Sequence, residues 1–440
     1  MGHDAEHLER VRAQYDTAPY PRIPLHHAHS EDTAMLYLHN LMTPYYLRNQ
    51  RVVSGAGKRI LDAGCGSGFT SLALAQANPG ARIVGIDLSE RSVAVARERL
   101  AFHGFKSAEF HALPIERVGE LGEDFDLINC DEVLYLLPDP GVGLAALTGA
   151  LAPDGILRAN LHSAYARAPV FRAQKFFQTL GLAGHRDEAE EIALARQTME
   201  RMNDGAQLKK DAWTPFASLH DDSEWYRMNY LLVGDKGFTI PETFAMLADC
   251  GLELVNMLLW PTWELRHWFK SGQPPPLVAA QIGKLTTAER LHLSELIHSS
   301  HRLIDFWCGH AGQSRHRDPM ETWDAGDFAA SVLHLHPQLA TERLKQFLLD
   351  CLEAGEPFNF NQHMRVPYGD PIVIDGMEAA LLPLWDGPQP YAEFERHWVR
   401  LAVRRTTVAR PVFEHTARGE LRRFVRRMES LAYLMVEPVG

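Results

Sequence analysis

Three glycines at alternate positions, Gly64, Gly66 and Gly68, constrain this chain more than any other feature. They follow an apolar run that ends in Asp62, and a helical pattern over residues 69–77 comes directly after them. Glycine tolerates positive φ and lets a ligand approach the backbone, and a helix start offers unpaired N–H groups to an anionic group. The order predicts a strand, a tight turn and a helix around a ligand. The G-x-G-x-G spacing differs from the G-x-G-x-x-G of nicotinamide sites.

Further apolar runs with polar ends follow this turn. The run over residues 82–86 ends in Asp87, and a helical pattern over residues 91–102 comes next. A third run covers residues 125–130 and a fourth covers 155–161, with helical patterns between the runs. Strands that alternate with helices predict an α/β fold with a doubly wound, mostly parallel sheet, whose ligand binds at the carboxyl ends of the strands. An acid at the tip of the second strand can accept hydrogen bonds from a ribose diol.

The motif over residues 62–68, followed by Asp87, resembles the class I S-adenosylmethionine-dependent methyltransferases. The segments 129–139 and 152–155 continue the motif order of that family, so the resemblance covers residues 58–162. It implies a Rossmann-like methyltransferase fold, S-adenosylmethionine as the cofactor and S-adenosylhomocysteine as the product.

The resemblance also implies which residues bind the cofactor. They are Asp62, Gly64, Cys65, Gly66, Gly68, Asp87, Leu88, Leu113, Ile115 and Asn129. The glycines would line the methionine part, Asp62 would hold its amino group, and Asp87 would bind both ribose hydroxyls. Many members of the family carry an acid for the adenine amine after their third strand, whereas this chain reads Phe110-His-Ala-Leu-Pro-Ile115 at that position. Backbone atoms near Leu113 and Ile115, or the side chain of Glu116, are therefore expected at the adenine.

Candidate catalytic residues are those expected beside the methyl group. Methyl transfer from a sulfonium is an in-line displacement, in which the protein aligns the nucleophile and, where needed, removes a proton. Asp131 and Glu132 follow a strand, and adjacent residues there point to opposite sides, so at most one should face the ligand; a helix cap is the other interpretation. His162 has a pKa suited to a general base, or it is a packing histidine. Tyr20 and Tyr15 would wall the methyl site if the N-terminal segment closes over it.

Composition narrows the class of protein. A chain of 440 residues with 46% hydrophobic residues should contain two or three domains. The formal net charge of -12 argues against a nucleic-acid partner. Five widely separated cysteines predict reduced thiols in a cytoplasmic protein, and neither a secretory signal nor a membrane span is evident. The 22 histidines show no ligand spacing, so no metal site is expected.

The chain divides into three predicted parts. Residues 1–50 form an N-terminal arm with a Tyr-Pro stretch, which either covers the cofactor mouth or only packs. Residues 51–270 form the methyltransferase domain, in which 163–236 are a helical insertion over the carboxyl-end pocket. Residues 271–440 form a C-terminal accessory domain, which begins at a proline run.

The accessory domain is predicted to be α+β or mostly helical. Helical spacing predicts helices over residues 286–307 and 328–352, and extended runs are predicted over 372–374 and 379–384. The layout of most of the chain is similar to bacterial methyltransferases with a long C-terminal extension. That group is similar in turn to bacterial protein lysine methyltransferases.

The acceptor is left open by the sequence. A nitrogen or oxygen nucleophile on a small metabolite or natural product, and a protein side chain such as lysine, are both expected candidates. The alternative function is a regulatory protein that binds S-adenosylmethionine without turnover, and the intact glycine motif counts against it. A homodimer is left open as the oligomeric state.

Overall fold

The computed structural model describes most of the chain. The described residues are 12, 16, 19–29, 32–183, 187–232, 234–313, 320–363, 372–404 and 410–439. Tyr15 and the first residues of the predicted arm lie outside them. No helix within these ranges combines the length and the apolar character that crossing a bilayer requires.

The central sheet has eight strands. They are β1 (Arg59–Ala63), β2 (Arg82–Asp87), β3 (Glu109–Ala112), β4 (Phe125–Cys130), β5 (Leu151–Ser163), β6 (Gly237–Phe238), β7 (Leu252–Met257) and β8 (Leu303–His310). Their order is β3-β2-β1-β4-β5-β8-β7, with β6 paired to the end of β5. Strands β1 to β5 pair in parallel, and β8 is antiparallel to both of its neighbours. The predicted doubly wound, mostly parallel sheet is confirmed.

Helices pack around the sheet. Before the insertion these are α1 (Thr33–His39), α2 (Met42–Asn49), α3 (Phe69–Ala77), α4 (Glu90–Phe102) and α5 (Pro140–Gly149). Capping side chains stabilise the N-termini of two of these helices: Ser89 caps α4 by accepting a hydrogen bond from the N–H of Ser92, and Asp139 caps α5. The central parts of β1, β2 and β4 are buried on both faces, as expected for parallel strands covered by helices.

The insertion between β5 and β6 is helical, as predicted. It contains α6 (Ala168–Thr179), α7 (Glu188–Arg201), α8 (Gln207–Ala212) and α9 (Ser223–Asn229). Aromatic side chains that include Phe177, Trp213, Trp225, Tyr226 and Tyr230 form a hydrophobic core of its own. The insertion is therefore a packed helical unit rather than an extended loop.

The sheet continues past residue 270, where the sequence analysis ended the methyltransferase domain. After α10 (Ile240–Asp249), α11 (Pro276–Ile282) and α12 (Thr287–Ile297), the chain returns as β8 between β5 and β7. The predicted helix over residues 286–307 is therefore wrong in its second half, and so is the domain boundary at 270. The cause is a contact between distant segments. Asp305, the one acid of β8, pairs with the buried Arg158 of β5 at 2.8 Å, and hydrophobic periodicity within the segment does not indicate such a partner.

The C-terminal region is α+β. It contains α13 (Ala325–Ala329), β9 (Ser331–Leu335), α14 (Glu342–Ala354), β10 (Phe358–Asn359), β11 (Val373–Ile374), β12 (Gln389–Pro390), α15 (Tyr391–Val403), α16 (Arg410–Ser430) and β13 (Leu434–Pro438). Strands β12, β9 and β13 form an antiparallel sheet, and β10 pairs with β11. The predicted helix over 328–352 is interrupted by β9, and the predicted extended run over 379–384 is instead two 3₁₀ turns, Glu378–Ala380 and Leu382–Trp385.

Helices α1 and α2 join the two regions. The Tyr37 hydroxyl donates to the carbonyl of Leu431, and its ring belongs to the C-terminal hydrophobic core. The Thr43 hydroxyl and His336 Nε2 are 3.0 Å apart, and both side chains are fully buried. The C-terminal region therefore packs against the N-terminal helices rather than on the carboxyl-end edge of the sheet.

Candidate active site

A cavity of about 310 Å³ opens at the carboxyl ends of β1, β2 and β4. Its wall comes from the N-terminal segment, the turns after these strands and one insertion helix. The lining residues are Tyr20, Pro21, Gly64, Cys65, Gly66, Thr70, Asp87, Leu88, Leu113, Pro114, Ile115, Glu116, Asp131, Glu132, Val133, Leu136, Leu137 and Met228. Its position is the one that open α/β sheets use for ligands.

The glycine turn forms one wall of the cavity. Gly64, Gly66 and Gly68 have φ values of 84°, 50° and 78°, which L side chains rarely adopt. A Cβ on Gly64 would lie 2.3 Å from Val133, and one on Gly68 would lie 2.7 Å from Ala96 of α4. The first glycine therefore keeps the wall open, whereas Gly68 serves the close packing of α4 and does not reach the cavity.

Asp87 lies at the tip of β2, as predicted, and lines the cavity. One carboxylate oxygen accepts the N–H of Gly66 at 2.9 Å, and the other accepts the N–H of Ser89 at 2.9 Å. Burial raises the pKa of Asp87, and these backbone donors oppose that rise. The carboxylate is thus held between the glycine turn and the start of α4.

Asp62 and Asn129 lie beneath the glycine turn, behind the cavity wall. Asp62 accepts the Ser71 hydroxyl at 2.6 Å and the Asn129 amide at 2.9 Å. Asn129 in turn accepts a hydrogen bond from Arg158 at 3.1 Å. Burial raises the pKa of Asp62 to about 6. The structure therefore does not bring Asp62, Asn129 or Gly68 to the surface of the cavity, and a direct cofactor contact of each stays a prediction.

The predicted adenine side of the cavity is mainly apolar. Leu88, Leu113 and Ile115 line it, as the sequence analysis expected. Glu116 lines the same part of the cavity, and its Oε2 is buried without a hydrogen-bond partner among the described residues. A buried acceptor without a donor is uncommon in native proteins, so this oxygen marks a position where a ligand donor would fit.

Asp131 and Glu132 both line the cavity, so the expectation that only one would face the ligand is wrong. Side chains stop alternating between the two faces of the sheet where β4 ends, because Glu132 has a φ of 61° and its N–H donates to the Asn160 side chain at 2.8 Å. Asp131 accepts from the Asn160 amide at 2.5 Å and lies 3.3 Å from Arg158. The two acids therefore stand side by side at the cavity.

Glu132 is held by an ion pair. Arg302, which precedes β8, donates to both of its carboxylate oxygens, and the Tyr135 hydroxyl donates at 2.7 Å. Burial raises the pKa of Glu132, but the Arg302 guanidinium more than offsets this effect and the pKa lies below its ordinary value. Glu132 is consequently an ionised carboxylate near neutral pH.

His162 lies behind Glu132, not at the cavity. Its ring is 1% exposed and stacks on Tyr135 with ring centroids 3.6 Å apart. Nδ1 is 2.6 Å from Asp235 and Nε2 is 3.1 Å from Arg302. Burial lowers the pKa of His162, with Asp235 opposing that effect. Direct proton abstraction by His162 would require access that this packing denies, so the interpretation as a packing histidine fits better.

The N-terminal segment reaches the cavity through Tyr20. The Tyr20 ring lines the wall, and burial together with the negative charge of Glu132 raises the pKa of its hydroxyl. A tyrosine with a raised pKa stays protonated, so it can donate a hydrogen bond but is a poor base.

The insertion contributes from the opposite side. Met228 of α9 lines the cavity, and Glu224 lies one helical turn earlier. The Glu224 Oε1 is buried and has no hydrogen-bond partner within the described ranges. Met228, Glu224 and Arg302 were missed from the sequence. Met228 and Glu224 lie in the insertion that was predicted to cover the pocket, whereas Arg302 carried no such signal. No group of three or more metal-binding side chains occurs among the described residues.

Comparisons with known proteins agree with this geometry. A family model described as a methyltransferase domain matches residues 54–229. An uncharacterized protein of Synechococcus sp. is 27% identical over 330 residues, which cover 75% of this chain and 76% of that protein. A ubiquinone biosynthesis O-methyltransferase of Aromatoleum aromaticum is 42% identical over 100 residues, which cover 23% of this chain and 42% of that enzyme. The chain thus matches less than half the length of that enzyme.

Solved structures show the same fold. PKMT2 from Rickettsia typhi superposes with a TM-score of 0.59 at 14% sequence identity, covering 92% of this chain and 75% of that chain. A second structure of PKMT2, in complex with AdoHcy, gives a TM-score of 0.59 and covers 91% of this chain and 76% of that chain. At this identity the similarity establishes the fold alone. Because it covers 92% of this chain, it extends past the central sheet into the C-terminal α+β region.

Proposed function

We propose that the chain is a class I S-adenosylmethionine-dependent methyltransferase, which methylates a nitrogen or oxygen nucleophile. The acceptor is a small metabolite or natural product, or a protein side chain such as lysine. The observation that carries the proposal is the cavity itself, where the glycine turn, the Asp87 carboxylate and an unpaired Glu116 oxygen face one space. No feature of the site favours the alternative of a silent regulatory protein.

The residues present fit the cofactor. The cavity volume of about 310 Å³ lies within the range of small-molecule sites. Asp87 would hold the ribose hydroxyls, and Leu88, Leu113 and Ile115 would pack on the adenine. The buried Glu116 Oε2 would accept from the exocyclic amine. Binding of AdoHcy by PKMT2, which shares the fold, supports this assignment.

S-adenosylmethionine supplies an electrophilic sulfonium methyl group when it is bound. The protein aligns an acceptor with that methyl group, which can account for several kcal/mol, up to ~10 kcal/mol, of the barrier. Asp131, Glu132 and Tyr20 lie at the cavity where an acceptor would enter. Because Arg302 lowers the pKa of Glu132, this carboxylate is a weak base, and we assign it to holding and orienting the acceptor.

The polar groups at this end of the cavity favour a nitrogen acceptor. Asp131 and Glu132 both line it, with Arg158 and Arg302 bound to them from outside the wall, and no lysine, arginine or histidine is among the described lining residues. The carboxylates line the cavity and the arginines do not, so the N–H groups of an amine acceptor find hydrogen-bond acceptors there, whereas a carboxylate or phenolate meets no cation. This preference supports the amine branch of the proposal, lysine included.

The test is a labelling experiment with the purified full-length protein. It is incubated with methyl-tritiated S-adenosylmethionine and an extract of its own host, with Asp87→Ala as the matched negative control. Label in protein bands supports a polypeptide acceptor, and label in the small-molecule fraction alone excludes that branch. Cofactor binding without labelled product would overturn the proposed activity.

A further inference from the structure

An extended segment crosses the glycine turn from outside the sheet. This segment, residues 19–29, is called the strap below. The Ser67 N–H donates to the carbonyl of Tyr20 at 2.8 Å, and the Ser67 hydroxyl donates to the carbonyl of Pro21 at 2.8 Å. A Cβ on Gly66 would lie 2.3 Å from the same Tyr20 oxygen. The strap therefore rests directly on the turn that walls the cofactor cavity.

Arg99 of α4 connects the strap to this turn. Its guanidinium donates to the carbonyl of Ser67 at 2.9 Å, to that of Ile23 at 2.7 Å and to that of Pro24 at 3.0 Å. The side chain is 1% exposed, and within the described residues no carboxylate forms an ion pair with it. Its planar fork is suited to several acceptors at once, which a lysine ammonium cannot match geometrically.

Burying a guanidinium is costly, and among the described residues its hydrogen-bond acceptors are three carbonyl oxygens, so its presence calls for a reason. Arg99 does not contact the cavity, and the hydrophobic core around α4 could be filled by an aliphatic side chain. What the guanidinium adds is a bridge between a cofactor-binding turn and a segment distant in sequence.

Two histidines form further hydrogen-bonding contacts between the strap and the helices beneath it. His103 Nε2 lies 2.8 Å from the carbonyl of Leu25. His29 is 3% exposed, and its Nε2 lies 2.9 Å from the carbonyl of Phe69 at the start of α3. The strap is thus fixed at several points, with Tyr20 and Pro21 presented to the cavity.

We infer that Arg99 is a positioning residue, which locks the strap onto the glycine turn, holds Tyr20 at the cavity and slows release of the bound cofactor. The effect on cofactor release rests on the cofactor site of the proposed function. The effect on strap closure does not, because it concerns contacts within the protein alone.

The experiment measures trypsin cleavage after Arg22, an exposed residue next to Ile23. Arg99→Lys keeps the charge but loses the fork. We expect cleavage after Arg22 to be at least tenfold faster than in the wild type, and bound tritiated S-adenosylhomocysteine to dissociate at least tenfold faster. Arg97→Lys is the matched control, since Arg97 on the same helix donates to the Phe110 carbonyl at 2.9 Å, away from the strap carbonyls that Arg99 binds; it should change neither rate.

A second variant keeps the inference testable if Arg99→Lys does not fold. His103→Ala removes one strap contact without disturbing the buried cation, and it should change both rates in the same direction by a smaller factor. Folded variants, verified by circular dichroism, with wild-type rates of cleavage and release would overturn the inference. If Arg99→Lys does not fold, the His103→Ala rates decide. A wild type that labels no acceptor yet shows these differences would refute the proposed activity and leave the strap intact.

Discussion

The carboxyl group of Asp62 offers a pH test of the buried network beneath the glycine turn. Asp62 is 2% exposed, and burial raises its pKa to about 6, against about 3.9 for an unperturbed aspartate. The unfolded chain therefore releases this proton near pH 4, whereas the folded protein keeps it until about pH 6. The contribution of Asp62 to stability is fully present below pH 4 and is lost as the pH rises through 6.

Asp62→Asn should remove this loss. A displacement of about two pK units corresponds to ~3 kcal/mol. The asparagine oxygen can accept from Asn129, and its amide can donate to the Ser71 hydroxyl, so both hydrogen bonds survive. Relative to the wild type, the variant should gain ~3 kcal/mol in unfolding free energy between pH 4 and pH 7.5 and nothing further above it.

The assay is urea unfolding of both proteins at pH 4.5, 6.0 and 7.5, followed by tryptophan fluorescence without cofactor. Asp249→Asn, which replaces an exposed aspartate of α10, is the control and should show no such trend. A difference between Asp62→Asn and the wild type that is independent of pH, or that grows on acidification, would refute the assignment of a buried, proton-retaining carboxyl.

Three further predictions concern the cavity. Glu116→Ala should weaken S-adenosylmethionine binding about tenfold in calorimetry, since the adenine amine loses an acceptor; the exposed Glu120→Ala should not, and equal effects would argue against the adenine assignment. Gly66→Ala should lower both Tm and cofactor affinity, because its Cβ would meet the Tyr20 carbonyl at 2.3 Å; Gly57→Ala, at φ 75° with free space around it, measures the φ cost alone. Arg302→Met removes the cation that lowers the Glu132 pKa, so the acidic limb of the rate profile should move to higher pH; an unmoved limb would show that Glu132 ionisation does not govern the rate.

Local sequence patterns predicted the sheet and several residues that line the cavity. The glycine turn and Asp87 could be placed because a strand, a turn and a helix follow one another within a few residues, and each leaves its own signature. Leu113 and Ile115 were placed by the same logic, since they follow the third strand in the family's order.

The features that local sequence patterns did not reveal depend on contacts between distant segments. Strand β8 is stabilised by pairing with β5 and β7, and Arg302 reaches Glu132 across 170 positions of the chain. The left-handed conformation of Glu132, which brings both acids to the cavity, accompanies a hydrogen bond to Asn160 on the neighbouring strand. Period and spacing carry no information about such partners.

The most direct test of the central claim is calorimetric titration of S-adenosylmethionine into the wild type and Asp87→Ala. The ribose hydroxyls should lose a charged acceptor worth ~1.5–3 kcal/mol, so affinity should fall roughly tenfold to a hundredfold, while the exposed neighbour Glu90→Ala should bind normally. Equal affinity of the wild type and Asp87→Ala would place the cofactor elsewhere and contradict the account.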